Sequence, residues 1–92
     1  MKVNFYATYR PIVGGKTIEL DVDHGITIGQ LVEAIIARFP AMQHQMLDEN
    51  GSLYAHVHIF VNGRDSTLLE QKSDTLLQAD DVLNIFPPVG GG

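Results

Sequence analysis

The chain has 92 residues, 45% of them hydrophobic, a formal net charge of −5 and no cysteine. That length allows one compact domain, since a second would need roughly 50 residues of its own. The acidic balance argues against a nucleic-acid binder, which needs clustered basic residues to displace counterions, and the lack of cysteine excludes disulfide staples, thiolate metal sites and a cysteine nucleophile.

Lys2 to Thr8 alternates, with Val3, Phe5 and Ala7 on one face and Lys2, Asn4, Tyr6 and Thr8 on the other. This predicts a half-buried strand. Pro11 and Gly14-Gly15 mark a turn. Lys16 to Val22 alternates again, with Ile18, Leu20 and Val22 together, and the short connection predicts an antiparallel hairpin. Thr27-Ile28-Gly29-Gln30 fits a capping box. Ile28, Leu31, Val32, Ile35, Ile36 and Phe39 follow at helical spacing. Pro40 ends this helix, because the residue before a proline disfavours helical angles. Ala41 to Leu47 has room for a further short helical turn. Asp48 to Ser52 is a polar loop.

From His56 the chain alternates once more, with Val57, Ile59 and Val61 opposed to His56, His58 and Phe60. Asn62-Gly63 predicts a tight hairpin turn, since both residues tolerate positive φ. A weak strand over 66–69 would pair back. Ala79-Asp80-Asp81 is a turn into the strand Val82-Leu83-Asn84-Ile85-Phe86, and Pro87-Pro88 stops sheet pairing. The order is β-β-α-β-β-β, so one helix should pack across one face of a mixed sheet, with the first and last strands central. No apolar run approaches the ~20 residues of a membrane span. No apolar stretch follows Lys2 as in a signal peptide, so a cytoplasmic protein with no membrane partner is expected.

The chain ends Phe86-Pro87-Pro88-Val89-Gly90-Gly91-Gly92. Two prolines favour an extended exit from the sheet. Three glycines remove every side chain near the end, giving a tail slim enough to enter another enzyme's active-site channel, at a cost in ordering entropy. An inert, disordered end is the alternative reading.

The strand order, Ala79-Asp80-Asp81-Val82, and Phe86-Pro87-Pro88-Val89 with terminal Gly91-Gly92 resemble the ubiquitin-like sulfur carriers of the MoaD/ThiS group. Asn50 to Tyr54 leading into His56 to Gly63 is also similar to the archaeal ubiquitin-like modifiers and the cysteine-route sulfur carrier, and Arg10-Pro11 with Gly14-Gly15 resembles the last of these. The resemblance implies a β-grasp fold, an α+β domain over residues 1–87 with a Gly-rich tail over 88–92. It also implies a chemistry: an E1-like adenylyltransferase uses ATP to adenylate the Gly92 carboxylate. A persulfide donor protein then supplies sulfur for a terminal thiocarboxylate. Gly90, Gly91 and Val89 would give access, and Pro87 and Pro88 would direct the tail. The chain has no P-loop pattern of its own, so it is expected to be a carrier with no bound cofactor, not an enzyme. A synthase large subunit or sulfur-accepting enzyme is a further implied partner. The acceptor stays open among a molybdopterin precursor, a thiazole precursor, an activated serine derivative and transfer RNA. A protein modifier joined through Gly92 to target lysines is the second reading, and a plain interaction domain with an inert tail is the third.

Other candidate sites weigh less. His56 and His58 at i,i+2 have metal-ligand spacing, but no third ligand is evident and no metal is expected. Asp21 with Asp23, and Asp80 with Asp81, lack a fuller oxygen-ligand loop. Lys2, Lys16 and Lys72 are candidate isopeptide acceptors or, more simply, solubilising charges. The stronger expectation is a partner-binding face. If Val3/Phe5, Val57/Ile59/Val61 and Leu83/Ile85 pack under the helix, then Tyr6, His58, Phe60, Val82 and Phe86 lie on the opposite face beside the tail.

Overall fold

The structure is a computed structural model that describes residues 1–22, 25–69 and 74–88. Five strands form one sheet: β1 (Lys2–Phe5), β2 (Thr17–Glu19), β3 (His58–Val61), β4 (Arg64–Asp65) and β5 (Val82–Phe86). Their spatial order is β2-β1-β5-β3-β4. β5 is central, running parallel to β1 with Val3 opposite Leu83 and Phe5 opposite Ile85. It pairs antiparallel with β3, with Ile59 opposite Ile85 and His58 opposite Phe86. β1 pairs antiparallel with β2. The predicted mixed sheet with central first and last strands is therefore the one observed.

The main helix, α2 (Ile28–Arg38), starts as its sequence dictates. The Thr27 hydroxyl accepts from the Gln30 amide at 3.0 Å, and the Gln30 side chain accepts from the Thr27 amide at 2.9 Å. This reciprocal cap satisfies two otherwise orphaned donors. The apolar stripe Ile28, Leu31, Val32 and Ile35 is buried. It shares one core with Val3, Phe5, Val57, Ile59, Leu83 and Ile85 from the sheet. Phe39 is the C-cap, and Pro40 opens a 3-10 turn (Pro40–Met42) that leads into α3 (Gln43–Met46). Met42 and Met46 from this segment complete the core.

The first connection differs from a simple hairpin turn. β1 stops at Phe5, Ala7 takes a positive φ of 52°, and α1 (Tyr9–Val13) fills the gap before β2. Ala7 is accordingly exposed, and Tyr9 takes the buried place expected of the strand's next residue. Pro11 does not prevent this helix. It occupies the first turn, where backbone N–H groups have no helical acceptor. Gly14 closes α1 in the left-handed region at φ 84°, donating its N–H to the Arg10 carbonyl at 2.9 Å. β2 is shorter than the predicted 16–22 run, although hydrogen bonds continue the hairpin at both ends, from Phe5 N–H to Lys16 O and from Leu20 N–H to Met1 O, each 2.8 Å.

The third strand likewise starts two residues late. His56 lies in a turn, while Val57, just before β3, is buried as expected. Asn62 and Gly63, at φ 52° and 83°, form the expected two-residue turn. Such a turn returns the chain at once, so β4 is Arg64–Asp65, with Val61 opposite Arg64. Residues 66–68 form a 3-10 turn instead of the expected strand. The Asp80-Asp81 turn holds as predicted. The Asp81 carboxylate accepts from the Gln78 amide at 2.7 Å and from Asn62 Nδ2 at 2.8 Å. This clamp ties the β3–β4 turn to the start of β5.

Candidate functional site

Alternation in three strands decides what the uncovered face of the sheet carries. In β5, Leu83 and Ile85 point into the core, so Val82, Asn84 and Phe86 point away from it. In β3, Ile59 points in, so His58 and Phe60 point out. Tyr6 follows directly on β1. The structure brings these side chains together. The Tyr6 and Phe86 rings stack at 4.1 Å between centroids with an interplanar angle of 11°. Phe60 meets Phe86 edge-on at 5.5 Å and 83°, and His58 lies 6.5 Å from Phe60. Stacked and edge-to-face pairs at these separations are favourable arrangements for aromatic quadrupoles. All four residues keep partial exposure.

Beside this cluster lies an open groove of about 570 Å³, lined by Ala7, His58, Phe60, Asp65, Phe86, Pro87 and Pro88 among others. Its walls are mostly apolar. The polar lining comes from Thr8, His58 and Asp65; His58 Nδ1 stands 3.7 Å from Asp65 Oδ2, an ion pair whenever the imidazole is protonated. Pro87 and Pro88 also border a second groove, whose lining includes His44, Tyr54 and His56. The point where the chain leaves the sheet is therefore a ridge between two hollows. Pro87 is half-buried and Pro88 exposed; the remaining predicted tail residues, Val89, Gly90, Gly91 and Gly92, lie outside the described residues.

Two residues of this face escaped the sequence reading. Arg10 places its guanidinium 5.2 Å over the Tyr6 ring, on which it can exert a cation–π attraction, and donates Nε–H to the Phe5 carbonyl at 2.9 Å. Asn84 accepts the Tyr6 hydroxyl at 2.7 Å. The signal for Asn84 was its shared parity with Val82 and Phe86. Arg10 was hidden because Pro11 and Gly14-Gly15 were read as a turn, which left no helix to carry it.

The minor candidates separate. His56 does not share a strand face with His58; the two line different grooves. Among the described residues no group of three or more His, Asp or Glu side chains gathers at one point. Asp21 and Asp80 are exposed, and Asp23 lies outside the described residues. Lys2 and Lys16 are exposed, while Lys72 lies outside the described residues. No helix among the described residues is long and apolar enough to cross a membrane.

Among the described residues one titratable group is clearly perturbed. Tyr9 is fully buried, and desolvation pushes its phenol up to about 12. Its hydroxyl donates to the Gln45 carbonyl at 3.2 Å, which joins α1 to α3. This is a structural phenol, away from the aromatic face.

A mixed five-stranded sheet wrapped on one main helix, leaving its other face partly open beside Pro87 and Pro88, defines a ubiquitin-like β-grasp protein. The chain belongs to the ThiS family, whose model matches residues 3–92. Among curated relatives, it is 32% identical over 92 residues to small archaeal modifier protein 1 of Haloferax volcanii, covering 100% of both chains. It is 33% identical over 92 residues to small archaeal modifier protein 3 of the same organism, covering 100% of this chain and 98% of that one. The crystal structure of the first of these superposes with a TM-score of 0.82 at 30% identity, covering 100% of this chain and 98% of the other. A putative molybdopterin converting factor subunit 1 from Pyrococcus furiosus superposes with a TM-score of 0.73, also at 30% identity, over 96% and 95% of the two chains.

Proposed function

We propose that this protein carries sulfur as a thiocarboxylate on Gly92. The observation that carries the proposal is the family match, which runs through residue 92 and so takes in the glycine tail as well as the domain. The chemistry follows from the weakness of a carboxylate as an acyl donor. Attack on it would have to expel oxide. An E1-like adenylyltransferase overcomes this by joining the Gly92 carboxylate to AMP from ATP, with release of pyrophosphate. The terminal sulfur of a persulfide donor then attacks the acyl carbon and AMP leaves. Reduction of the resulting acyl disulfide by a thiol frees the thiocarboxylate. Every catalytic step belongs to a partner; this chain supplies a docking face, an exit directed by Pro87 and Pro88, and a slim end. The aromatic cluster of Tyr6, His58, Phe60 and Phe86 is the docking face for the adenylyltransferase. The name of the Pyrococcus relative, a converting factor subunit, supports a further partner in the form of a synthase large subunit.

A second reading is favoured by a specific observation. Two full-length relatives at 32% and 33% identity bear the name of modifier proteins. Conjugation through Gly92 to target lysines begins with the same adenylate, so one chain can serve both ends. The test common to both is ATP-dependent pyrophosphate release by the native host's E1-like adenylyltransferase. The untagged full chain is expected to support it, and a chain ending at Gly90 to abolish it. Equal turnover of the two chains would refute the proposal.

A further inference from the structure

The aromatic face is joined on one side to a line of hydrogen bonds that crosses three strands. The Thr17 hydroxyl on β2 donates to Asn4 Oδ1 on β1 at 2.7 Å. Asn4 Nδ2 donates to Asn84 Oδ1 on β5 at 3.1 Å. The same Asn84 oxygen accepts the Tyr6 hydroxyl at 2.7 Å. The strand register makes this possible, because Asn4 lies opposite both Thr17 and Asn84. Tyr6 is thus held at three points. Phe86 stacks on its ring at 4.1 Å, the Arg10 guanidinium lies 5.2 Å from its ring centroid, and Asn84 fixes its hydroxyl.

We infer that Asn84 is a positioning residue, which locks the Tyr6 ring in the orientation the partner meets. A half-exposed tyrosine lacking the hydroxyl bond would sample other rotamers, and ordering such a side chain on association costs affinity. Asn84 removes that cost in advance, and the line through Asn4 to Thr17 keeps Asn84 itself from turning. The requirement is for an acceptor oxygen at this place: Oδ1 takes both donors, so an aspartate can replace it and an alanine cannot. The inference rests on the docking reading above for its effect on turnover, but the positioning can also be read without a partner.

Two measurements on the full chain test it. The first is the steady-state kinetics of the same adenylation reaction, with carrier concentration varied. Asn84→Ala is expected to raise KM about three- to tenfold with kcat unchanged, the range for losing one such hydrogen bond. Asn84→Asp should restore the wild-type KM. Tyr6→Phe, which keeps the ring and removes only the hydroxyl, should match Asn84→Ala, and the double variant should be no worse than either single one. A wild-type KM for Asn84→Ala alongside a raised KM for Phe60→Ala would overturn the positioning role and spare the docking face. Multiplying effects in the double variant would overturn it too. The second measurement is proton NMR of the partner-free protein. The Tyr6 ring protons should carry the ring-current shift of Phe86, lose part of it in Asn84→Ala and keep it in Asn84→Asp. Unmoved Tyr6 signals in Asn84→Ala would refute the inference whatever the adenylation assay shows.

Discussion

Phe60→Ala separates docking from folding, because the residue belongs to the aromatic face and not to the core. The core packs on the opposite side of β3, around Ile59. Truncating Phe60 therefore opens no interior cavity and should avoid the 3–5 kcal/mol of a buried Phe→Ala change. What is lost is the edge-on contact with Phe86 at 5.5 Å and part of the burial of one ring. The pair contributes about 0.5–1.5 kcal/mol, and incomplete burial roughly another 0.5–1 kcal/mol on the area scale. The expected destabilisation is about 1–2.5 kcal/mol, read as a lower urea midpoint with an unchanged slope. Docking should suffer more. An aromatic anchor at the centre of an interface is worth about 2 kcal/mol or more, or roughly 30-fold in Kd. Isothermal titration of the variant against the adenylyltransferase reads that loss directly. Wild-type affinity in a folded Phe60→Ala protein would remove the face from the mechanism. A variant without a cooperative unfolding transition would show that Phe60 supports the core after all.

Thr27→Ala removes the hydroxyl that caps α2 and should cost about 1 kcal/mol, measured by urea unfolding; an unchanged midpoint would mean that the cap is satisfied another way. Tyr9 predicts a pH dependence. Its phenol is held at about 12 in the fold against an ordinary 10.0, so the folded state keeps a proton that the unfolded chain releases. Stability is fully present below pH 10 and falls as pH rises toward 12. The loss is of order 2 kcal/mol, and Tyr9→Phe should flatten that slope in denaturation series at pH 9 to 12. An equally steep slope in the variant would assign the effect to other groups. Gly63→Ala, at φ 83° in the β3–β4 turn, should cost about 1 kcal/mol or more, since an L side chain is strained there. A neutral effect on thermal unfolding would contradict the turn geometry.

The parts legible in the sequence were those in which local pattern and tertiary demand agree. The Thr27/Gln30 box, the stripe from Ile28 to Ile35, the Asn62-Gly63 turn and the alternation in Val82 to Phe86 each encode their structure within a few residues. The aromatic face was legible for the same reason: parity along β3 and β5 determines which side Phe60 and Phe86 take. The misses have physical causes. α1 was hidden because Pro11 and Gly14-Gly15 signal a turn, although proline suits a first helical turn and Gly14 is the cap that ends it. β4 was placed too late because the weak strand was matched to its apolar residues, when the two-residue turn had already determined where pairing resumes. Parity places Asn84 on the aromatic face, but its bond to Tyr6, like the placement of Arg10 over that ring, depends on contacts between segments that no local pattern expresses.

Intact mass spectrometry of the untagged protein purified from its native host reads the central chemistry without a reconstituted partner. The account predicts a species in which one terminal oxygen is replaced by sulfur, localised by peptide fragmentation to Gly92. A protein bearing only an unmodified carboxylate, in cells where lysines of other proteins carry its C-terminal peptide joined through Gly92, would contradict the carrier account and favour the modifier reading.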